Sequence, residues 1–420
     1  MILCFTFRAV LGSHNSVPRG AFIMGWSPFR PVGLTYRDSR SFGGYTLITP
    51  IGGDAVYLLD EHGSIVHKWE SPGFQPGYGY LPPGGHLLVR GQPLVKTGVG
   101  VGQPAGRADI LLELDWDSNE VWRWEHESFH HDMCRRPNGN TLVIIWEVVP
   151  EDLARRIKGG LTPEQMERIS NDPQLMSFLL QGMGVGGRPR LKGMLTDAVW
   201  EINRAGEPIH VWHAYEHFDP EVDALCAIDL RTEWTHLNAV ELTPEGHVLV
   251  SSQKLDTILK ISWPKGDVLW RWGGLGRISH QHDPTITPEG TLLVFDNGSR
   301  HPIQARSRVV EVDMKTGQII WQYGGSPVFG MLSLHIAGAE RLANGNTLIC
   351  EGESGRILEV TRDCEICWEW NSPFVHDFKG VKASMLFRAH RYSADGPELR
   401  NRRLDGVGLE ALNRQWGLNK

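Results

Sequence analysis

The sequence has few cysteines, and their spacing excludes a disulfide framework. Six cysteines are scattered over 420 residues, and only Cys364 and Cys367 lie close together, without a second pair that could complete a zinc site. We interpret these two as a hairpin turn residue and a strand residue. Such sparse cysteine usage predicts a reduced, cytoplasmic protein.

Long apolar runs and an excess of basic residues are also missing. The apolar stretch over residues 1–10 is interrupted by Arg8 and lacks the features of an export signal, and no run is long enough to cross a bilayer. With 42 Lys and Arg against 49 Asp and Glu, the chain lacks the basic face that nucleic acids and anionic lipids require. We therefore expect no nucleic-acid partner and no membrane.

What the sequence does contain is a repeat. A Pro-x-Gly type of turn followed by an apolar strand occurs five times, and each copy is followed by a strand that carries tryptophan. Period-two alternation, as in residues 309–312, favours strands over helices. We interpret the tryptophans as packing between twisted blades rather than as a cofactor signature. The turn-and-strand copies are residues 82–89, 137–143, 244–250, 288–294 and 343–349.

The two ends of the chain complete each other. Residues 44–71 hold a sixth copy of the later strands without an inner strand, and residues 385–392 look like an inner strand without later strands. Pairing the two would close six four-stranded sheets into a ring and hide their edges. The sequence therefore predicts an all-β, six-bladed β-propeller over residues 44–396, between an N-terminal arm (1–43) and a C-terminal tail (397–420).

Two segments break the repeat. Residues 147–197 interrupt one blade with a helical insertion, which begins at a capping box of Thr162 and Gln165 with Pro163 at the first helical position. We interpret this insertion either as a lid over one mouth of the propeller or as a dimer contact. The second alternative would make the protein a homo-oligomer. The Gly-rich residues 91–106 lack the strand and helix of a nucleotide loop, and we interpret them as a mouth loop. Apolar positions follow the capping box at Met166, Ile169, Leu175, Phe178 and Leu179.

Histidines recur at similar places in the inner strands. Counted back from the turn of each repeat, they stand four, six or eight residues away, and even offsets keep side chains on one face of a strand. Several imidazoles on one axis are costly to bury unless a ligand or paired acids use them. In one blade either His130 or the adjacent His131 could be the histidine that faces the axis. The five histidines are His131, His236, His282, His335 and His390.

Other polar residues accompany this cluster. Asn238 shares a strand face with His236, Asp283 follows His282, and Arg388 precedes His390 by two residues. The Asp296-Asn297-Gly298 segment is either a tight turn or a support for the site. Further candidates for binding substrate are Gln253, Lys254 and Arg300.

The chain resembles the bacterial arylsulfotransferase (aryl-sulfate sulfotransferase) family from about Gly44 to Gly396. The matching blocks are WTHLNAV, VSSQKLDTILKI, RWGG, SHQHDPTITPEGTLLVFDNGSR and LANGNTLI. The resemblance implies six blades and transfer of a sulfuryl group between phenols through a transient sulfohistidine, without a metal. It also implies that His282 is the nucleophile, that His236 and Asn238 form the His-x-Asn pair, and that His131 or His130 supports them.

Two departures from the family pattern leave alternatives open. Gln253 stands where the family has an Arg that binds the sulfuryl oxygens, so that Lys254, Arg300 or Arg388 would have to substitute. No export signal is evident, although well-known members act outside the cytoplasm. A metal-dependent lyase, hydrolase or oxygenase of aromatic compounds, with a divalent ion on the five histidines, is the alternative. A non-catalytic propeller that binds a small ligand is the third.

Overall fold

The computed structural model describes residues 31–71, 73–94, 106–172, 193–274, 276–300, 304–325, 330–378 and 381–418. Nearly all regular structure in these residues is β. Numbered along the chain, the strands are β1 Gly33–Arg37, β2 Tyr45–Pro50, β3 Ala55–Leu59, β4 Ile65–Glu70, β5 Phe74–Tyr80, β6 Leu87–Pro93, β7 Ile110–Leu114, β8 Glu120–Glu125, β9 Phe129–Arg135, β10 Thr141–Val148, β11 Gly159–Leu161, β12 Leu195–Ile202, β13 Pro208–His213, β14 Leu225–Leu230, β15 Leu237–Leu242, β16 Val248–Ser252, β17 Thr257–Ile261, β18 Val268–Gly273, β19 His282–Ile286, β20 Leu292–Asp296, β21 Arg308–Val312, β22 Ile319–Tyr323, β23 Gly338–Arg341, β24 Thr347–Glu351, β25 Arg356–Val360, β26 Ile366–Asn371, β27 His376–Phe378, β28 Val381–Ala383 and β29 Leu386–Tyr392. The α-helices are α1 Glu151–Arg156, α2 Pro163–Ser170 and α3 Glu410–Trp416.

The strands form six antiparallel blades, which confirms the predicted six-bladed propeller. From the inner to the outer strand, blade 1 is β29-β2-β3-β4, blade 2 is β5-β6-β7-β8, blade 3 is β9-β10-β12-β13, blade 4 is β15-β16-β17-β18, blade 5 is β19-β20-β21-β22 and blade 6 is β23-β24-β25-β26. The inner strand of blade 1 is the last strand of the chain, with Tyr45 opposite Tyr392 and Leu47 opposite His390. Blade 1 is thus built from both ends of the repeat.

Tryptophans of the outer strands join neighbouring blades. In every blade an indole N–H of the outermost repeat strand donates to a backbone carbonyl in a hairpin turn of the next blade, over 2.8–3.3 Å. The contacts go round the whole ring, so each blade is held to the next by at least one indole hydrogen bond. The pairs are Trp69 to Asp115, Trp124 to Gly206, Trp212 to Gly266, Trp272 to Gly317, Trp321 to Arg362 and Trp370 to Gly63.

The insertion within blade 3 holds α1, β11 and α2. The capping box forms as the sequence predicts, since Gln165 N donates to Thr162 Oγ1 (3.2 Å) and Thr162 N donates to Gln165 Oε1 (2.7 Å). β11 pairs in parallel with β14, and Arg231 binds the carbonyl oxygens of Ala154, Ile157 and Gly159. The predicted apolar positions at Leu175, Phe178 and Leu179 lie outside the described residues.

The segments before and after the propeller pack against its outer strands. β1, from the predicted N-terminal arm, pairs with β26 and makes blade 6 five-stranded. In α3 the Asn413 side chain accepts from Ile65 N (2.7 Å) and donates to Ile65 O (2.9 Å), so it occupies the backbone groups of β4 as a further strand would. Across the described residues, the helices are all too short or too polar to span a bilayer.

Candidate functional site

The inner strands of blades 3, 4 and 5 begin with strained, bulged backbone. His131, His236 and Asp283 have φ angles of 50°, 49° and 56°. The pairing register of each strand shifts at the same place. Left-handed backbone costs a non-glycine residue about 1–2 kcal/mol, and bulges re-aim side chains next to active sites. The same distortion in three blades marks one end of the channel as the candidate site.

The surroundings of His282 select one tautomer of its ring. Nδ1 lies 2.8 Å from Asn297 Oδ1 and 3.0 Å from the His280 carbonyl oxygen. The amide nitrogen of Asn297 donates to Ser333 O (2.7 Å), which turns its oxygen toward His282. Because both neighbours are acceptors, Nδ1 carries the proton and Nε2 keeps its lone pair. Burial lowers the pKa of His282 to about 3, with a contribution from the charge of Arg388, so the ring is neutral at physiological pH.

His236 is paired with a buried carboxylate. Its Nδ1 lies 2.6 Å from Glu233 Oε2, and the other carboxylate oxygen accepts from Trp146 Nε1 (3.1 Å). Burial alone would raise the pKa of Glu233, but the charges of His236 and Lys254 and the hydrogen bond from His236 hold it well below its usual range. Gln253, where the family has Arg, donates its backbone N–H to the His236 carbonyl oxygen (3.0 Å). The His236–Glu233 pair has the geometry of a proton relay whose Nε2 is available.

His131 lies beside His236 and continues this line of groups. The two ring centroids are 4.6 Å apart, and Nδ1 of His131 is 2.7 Å from Nδ1 of His130. His130 Nε2 is in turn 3.1 Å from Asp197 Oδ1. Burial, together with the charge of His236, lowers the pKa of His131 well below its usual value. The sequence left His130 and His131 as alternatives; the structure has both, with His131 adjacent to His236 and His130 behind it.

Arg388 and Asn238 hold the inner strands of different blades together. Arg388 donates to Asp132 Oδ2 (2.9 Å) and the carbonyl oxygen of Asn238 (3.1 Å), and it forms an ion pair with Asp283 (3.2 Å). The Asn238 side chain donates to the carbonyl oxygen of Gln281 (2.8 Å), directly before the candidate nucleophile. The two Nη atoms of Arg388 and the amide nitrogen of Asn238 are therefore already bound to protein groups.

Lys254 and Arg300, the other two candidate cations, are also bound to groups of the protein. Lys254 Nζ donates to the carbonyl oxygens of Leu230 (3.2 Å) and Glu233 (3.1 Å). Arg300 binds both carboxylate oxygens of Asp229, at 2.6 and 2.7 Å. Neither side chain is thus an unoccupied replacement for the family's arginine.

His335 and His390 have carboxylate neighbours of their own. His335 Nδ1 lies 2.5 Å from Glu353 Oε1, and His390 lies 3.6 Å from Glu340 Oε2 and 2.9 Å from the Tyr78 hydroxyl. Within the described residues, no three His, Cys, Asp or Glu side chains are arranged to hold a metal ion. The set proposed for a divalent metal, His131, His236, His282, His335 and His390, therefore does not form a metal centre there.

Sequence reasoning missed three residues of this site. Glu233 stands three residues before His236, a spacing that a search for acid–histidine pairs could have found. Phe387, whose ring centroid is 6.5 Å from that of His282, lies in the predicted inner strand 385–392 but was not among the candidates. Arg90 lies on β6, the second strand of blade 2, and no candidate came from that blade.

Little of the site reaches solvent. His282 is 2% exposed and His236 is 6% exposed. A water-poor environment strengthens every charge interaction inside it. The rings of His282 and His236 are therefore largely enclosed by protein.

Part of the chain matches a known protein family. Residues 180–373 match the arylsulfotransferase (ASST) family, and this range contains His236, Asn238 and His282. No curated protein sequence matches the chain significantly.

Solved structures show weak likeness over most of the chain. A protein of unknown function from Bacteroides caccae is 12% identical, covers 83% of this chain and 98% of its own, and has a TM-score of 0.47. A streptogramin B lyase is 12% identical over 81% of this chain and 82% of its own, with a TM-score of 0.44. A catalytically inactive virginiamycin B lyase from Staphylococcus aureus, solved with quinupristin, is 10% identical over 84% and 91%, with a TM-score of 0.43. These likenesses are too weak to bear on function.

Proposed function

We propose, from the match of residues 180–373 to the arylsulfotransferase (ASST) family, that the chain transfers a sulfuryl group from an aryl sulfate to a phenolic acceptor, with His282 as the nucleophile. The observation that carries the proposal is the tautomer of His282. Its Nδ1–H faces the oxygens of Asn297 and His280, and its neutral ring leaves the Nε2 lone pair for attack.

In the first half-reaction, the Nε2 lone pair of His282 forms an N–S bond while the S–O bond to the aryl oxygen breaks. The leaving oxygen takes a proton from Nε2 of His236, which enters this step as the imidazolium paired with the Glu233 carboxylate and leaves it as the neutral ring. The sulfated ring of His282 now carries the sulfuryl group on Nε2 and its original proton on Nδ1, so it is cationic. The oxygens of Asn297 and His280 at 2.8 and 3.0 Å stabilise that cation.

The second half-reaction reverses these proton movements. His236 takes the proton of the acceptor phenol, and the phenol oxygen attacks sulfur while the N–S bond breaks. This regenerates neutral His282 and releases the new aryl sulfate. Glu233 keeps His236 oriented in both steps through the 2.6 Å contact to Nδ1. His131, in contact with the ring of His236, supports its position.

The substrate class is supported by the aromatic lining of the channel. Phe387 contacts Tyr78 with 5.3 Å between ring centroids, and both are buried. Aromatic side chains provide apolar faces on which a phenyl ring stacks. These rings, close to that of His282, suit a small aromatic donor and acceptor.

The test is transfer from 4-nitrophenyl sulfate to a phenol. Wild-type protein should release 4-nitrophenol and form the sulfated acceptor, whereas His282→Gln should do neither. With donor alone, intact mass spectrometry at neutral pH should find one added sulfuryl group on the wild type and none on His282→Gln. The control is His62→Gln, since the side chain of His62 is 62% exposed. Absence of turnover on aryl sulfates with any phenolic acceptor would contradict the proposal.

A further inference from the structure

Arg90 reaches the inner side of blade 2 from the second strand. It stands on β6 opposite Tyr78, where the register of β5 shifts between Pro76 and Tyr78. The residue in that bulge is Gly77, and a Cβ atom there would lie 3.2 Å from Arg90 Nη1, tighter than an ordinary contact. Blade 2 has no inner-strand histidine, and the missing side chain at Gly77 leaves room for the Arg90 guanidinium.

Arg90 is exceptional among the buried arginines of the described residues. It is 4% exposed, yet none of its guanidinium nitrogens forms a hydrogen bond or ion pair with any residue that the structure describes. The other four form ion pairs with buried carboxylates. These are Arg341 with Glu311, Arg356 with Glu369, Arg388 with Asp132 and Arg391 with Glu359.

Burying a cation without an anion is costly, and among the described arginines only Arg90 bears this cost. Burial lowers the pKa of Arg90 to about 10, so the side chain remains charged at physiological pH. The carboxylate whose charge acts on it, Asp132, is already bound by Arg388. A buried positive charge with free donors lacks only an anionic partner, and a planar guanidinium fork fits an oxyanion.

The position of Arg90 relates it to the proposed nucleophile. Its guanidinium carbon lies 4.4 Å from the centre of the Phe387 ring, and the same ring lies 6.5 Å from that of His282. The positive charge of Arg90 also contributes to the low pKa of His131. Arg90, His131 and His282 thus line one space, although they come from blades 2, 3 and 5.

We infer that Arg90 forms an oxyanion subsite of the channel, which binds a tetrahedral sulfate or the sulfuryl oxygens of the donor beside His282. The inference rests on the proposed function for the identity of the oxyanion. It supplies from blade 2 the cation that Gln253 does not provide at the family position, while Lys254, Arg300 and Arg388 remain structural.

Anion binding tests the subsite without any reaction. Millimolar sodium sulfate, at constant ionic strength against sodium chloride, should raise the Tm of the wild type and leave that of Arg90→Met unchanged. Arg90→Met should be at least as stable as wild type without sulfate, because it removes an unpaired charge. The control is Arg402→Met, which removes a guanidinium stacked at 5.1 Å on Trp116 away from the channel and should keep the sulfate response. No response in the wild type, or an equal response in all three proteins, would overturn the inference.

Arg90→Lys keeps the test decisive if Arg90→Met does not fold. Lysine retains the charge but not the planar fork, so the sulfate affinity should fall while binding remains detectable. Unchanged affinity in Arg90→Lys would contradict a bidentate oxyanion contact.

The transfer assay separates this inference from the proposed function. Arg90→Met should lower kcat/KM for the aryl sulfate on the order of 10²–10³-fold, as expected for loss of one oxyanion donor. Full transfer activity in Arg90→Met would refute the subsite and leave the proposed function intact. A sulfate response that depends on Arg90, in a protein without transfer activity, would support the subsite and refute the proposed function.

Discussion

At the residue scale, the chemistry of the site depends on which atoms already have partners. His282 and His236 are both buried imidazoles, but one faces two neutral oxygens and the other a carboxylate. The first arrangement leaves the neutral ring that the proposed nucleophile requires, and the second orients the proposed proton carrier. In the proposed reaction the two histidines thus take different roles because their neighbours differ.

Glu233→Gln tests the relay. The amide cannot replace the charge beside His236 and can present its NH₂ group to Nδ1, which favours the wrong tautomer. We expect kcat for sulfuryl transfer to fall on the order of 10³-fold, with little change in KM. The matched control is Glu353→Gln at the 2.5 Å pair with His335. Equal activity of the two variants would show that Glu233 does not act through His236.

The neutrality of His282 has a consequence for stability. Its pKa is about 3 in the folded state against about 6.5 when unfolded, so between these values the unfolded state binds more protons. The free energy of unfolding must therefore fall as the pH is lowered through this window, by about 1.4 kcal/mol per pH unit for this histidine. Urea unfolding at pH 6, 5 and 4 should give a shallower decline for His282→Gln than for wild type. His62→Gln should decline as wild type does; a common slope for all three would contradict the buried neutral ring.

At the element scale, hairpin turns connect neighbouring blades, because their carbonyl oxygens accept hydrogen bonds from tryptophans of the preceding blade. The turn between β12 and β13 carries Gly206, whose carbonyl accepts from Trp124 Nε1. A Cβ atom on Gly206 would lie 2.7 Å from the Trp124 ring. The turn therefore needs glycine for its backbone angle and also for the close approach of the indole.

Gly206 and Gly246 allow these two requirements to be separated. Both have a φ of 83°, but a Cβ atom on Gly246 meets nothing within 4 Å. Alanine at Gly246 should cost only the backbone strain, about 1 kcal/mol. Alanine at Gly206 should cost about 1–3 kcal/mol more, because the indole must move. Chemical unfolding of both variants measures the difference, and equal losses would mean that the Trp124 contact tolerates a methyl group.

At the scale of the whole molecule, the site exists because the ring brings distant blades together. Arg388 comes from the last strand and binds Asp132 in blade 3, Asp283 in blade 5 and the backbone of Asn238 in blade 4. This single guanidinium thus connects four blades across the channel.

Replacing Arg388 should destabilise the protein, and removing the two carboxylates that it binds should restore stability. Arg388→Met leaves two buried carboxylates without a cation, for which we expect a loss of about 3–5 kcal/mol in the free energy of unfolding. Adding Asp132→Asn and Asp283→Asn should recover much of it, because the uncompensated charges disappear. Urea unfolding of the single and triple variants provides the measurement. An Arg388→Met protein as stable as wild type would contradict this role.

The sequence by itself determined the number of blades. The turn and tryptophan repeats, spaced along the whole chain, are local patterns, and each reports a hairpin or strand that forms from neighbouring residues. The capping box at Thr162 and Gln165 was likewise readable, since its two hydrogen bonds join residues three apart.

Only the tertiary structure decided which charged side chains are available. Lys254, Arg300 and Arg388 are all cations near the expected mouth in sequence, but each is bound by groups from other elements. Arg90 remained invisible because it reaches the channel across the bulge at Gly77, a contact between strands that no spacing records. The availability of a donor or a lone pair depends on every neighbour in three dimensions, whereas a sequence pattern records only neighbours along the chain.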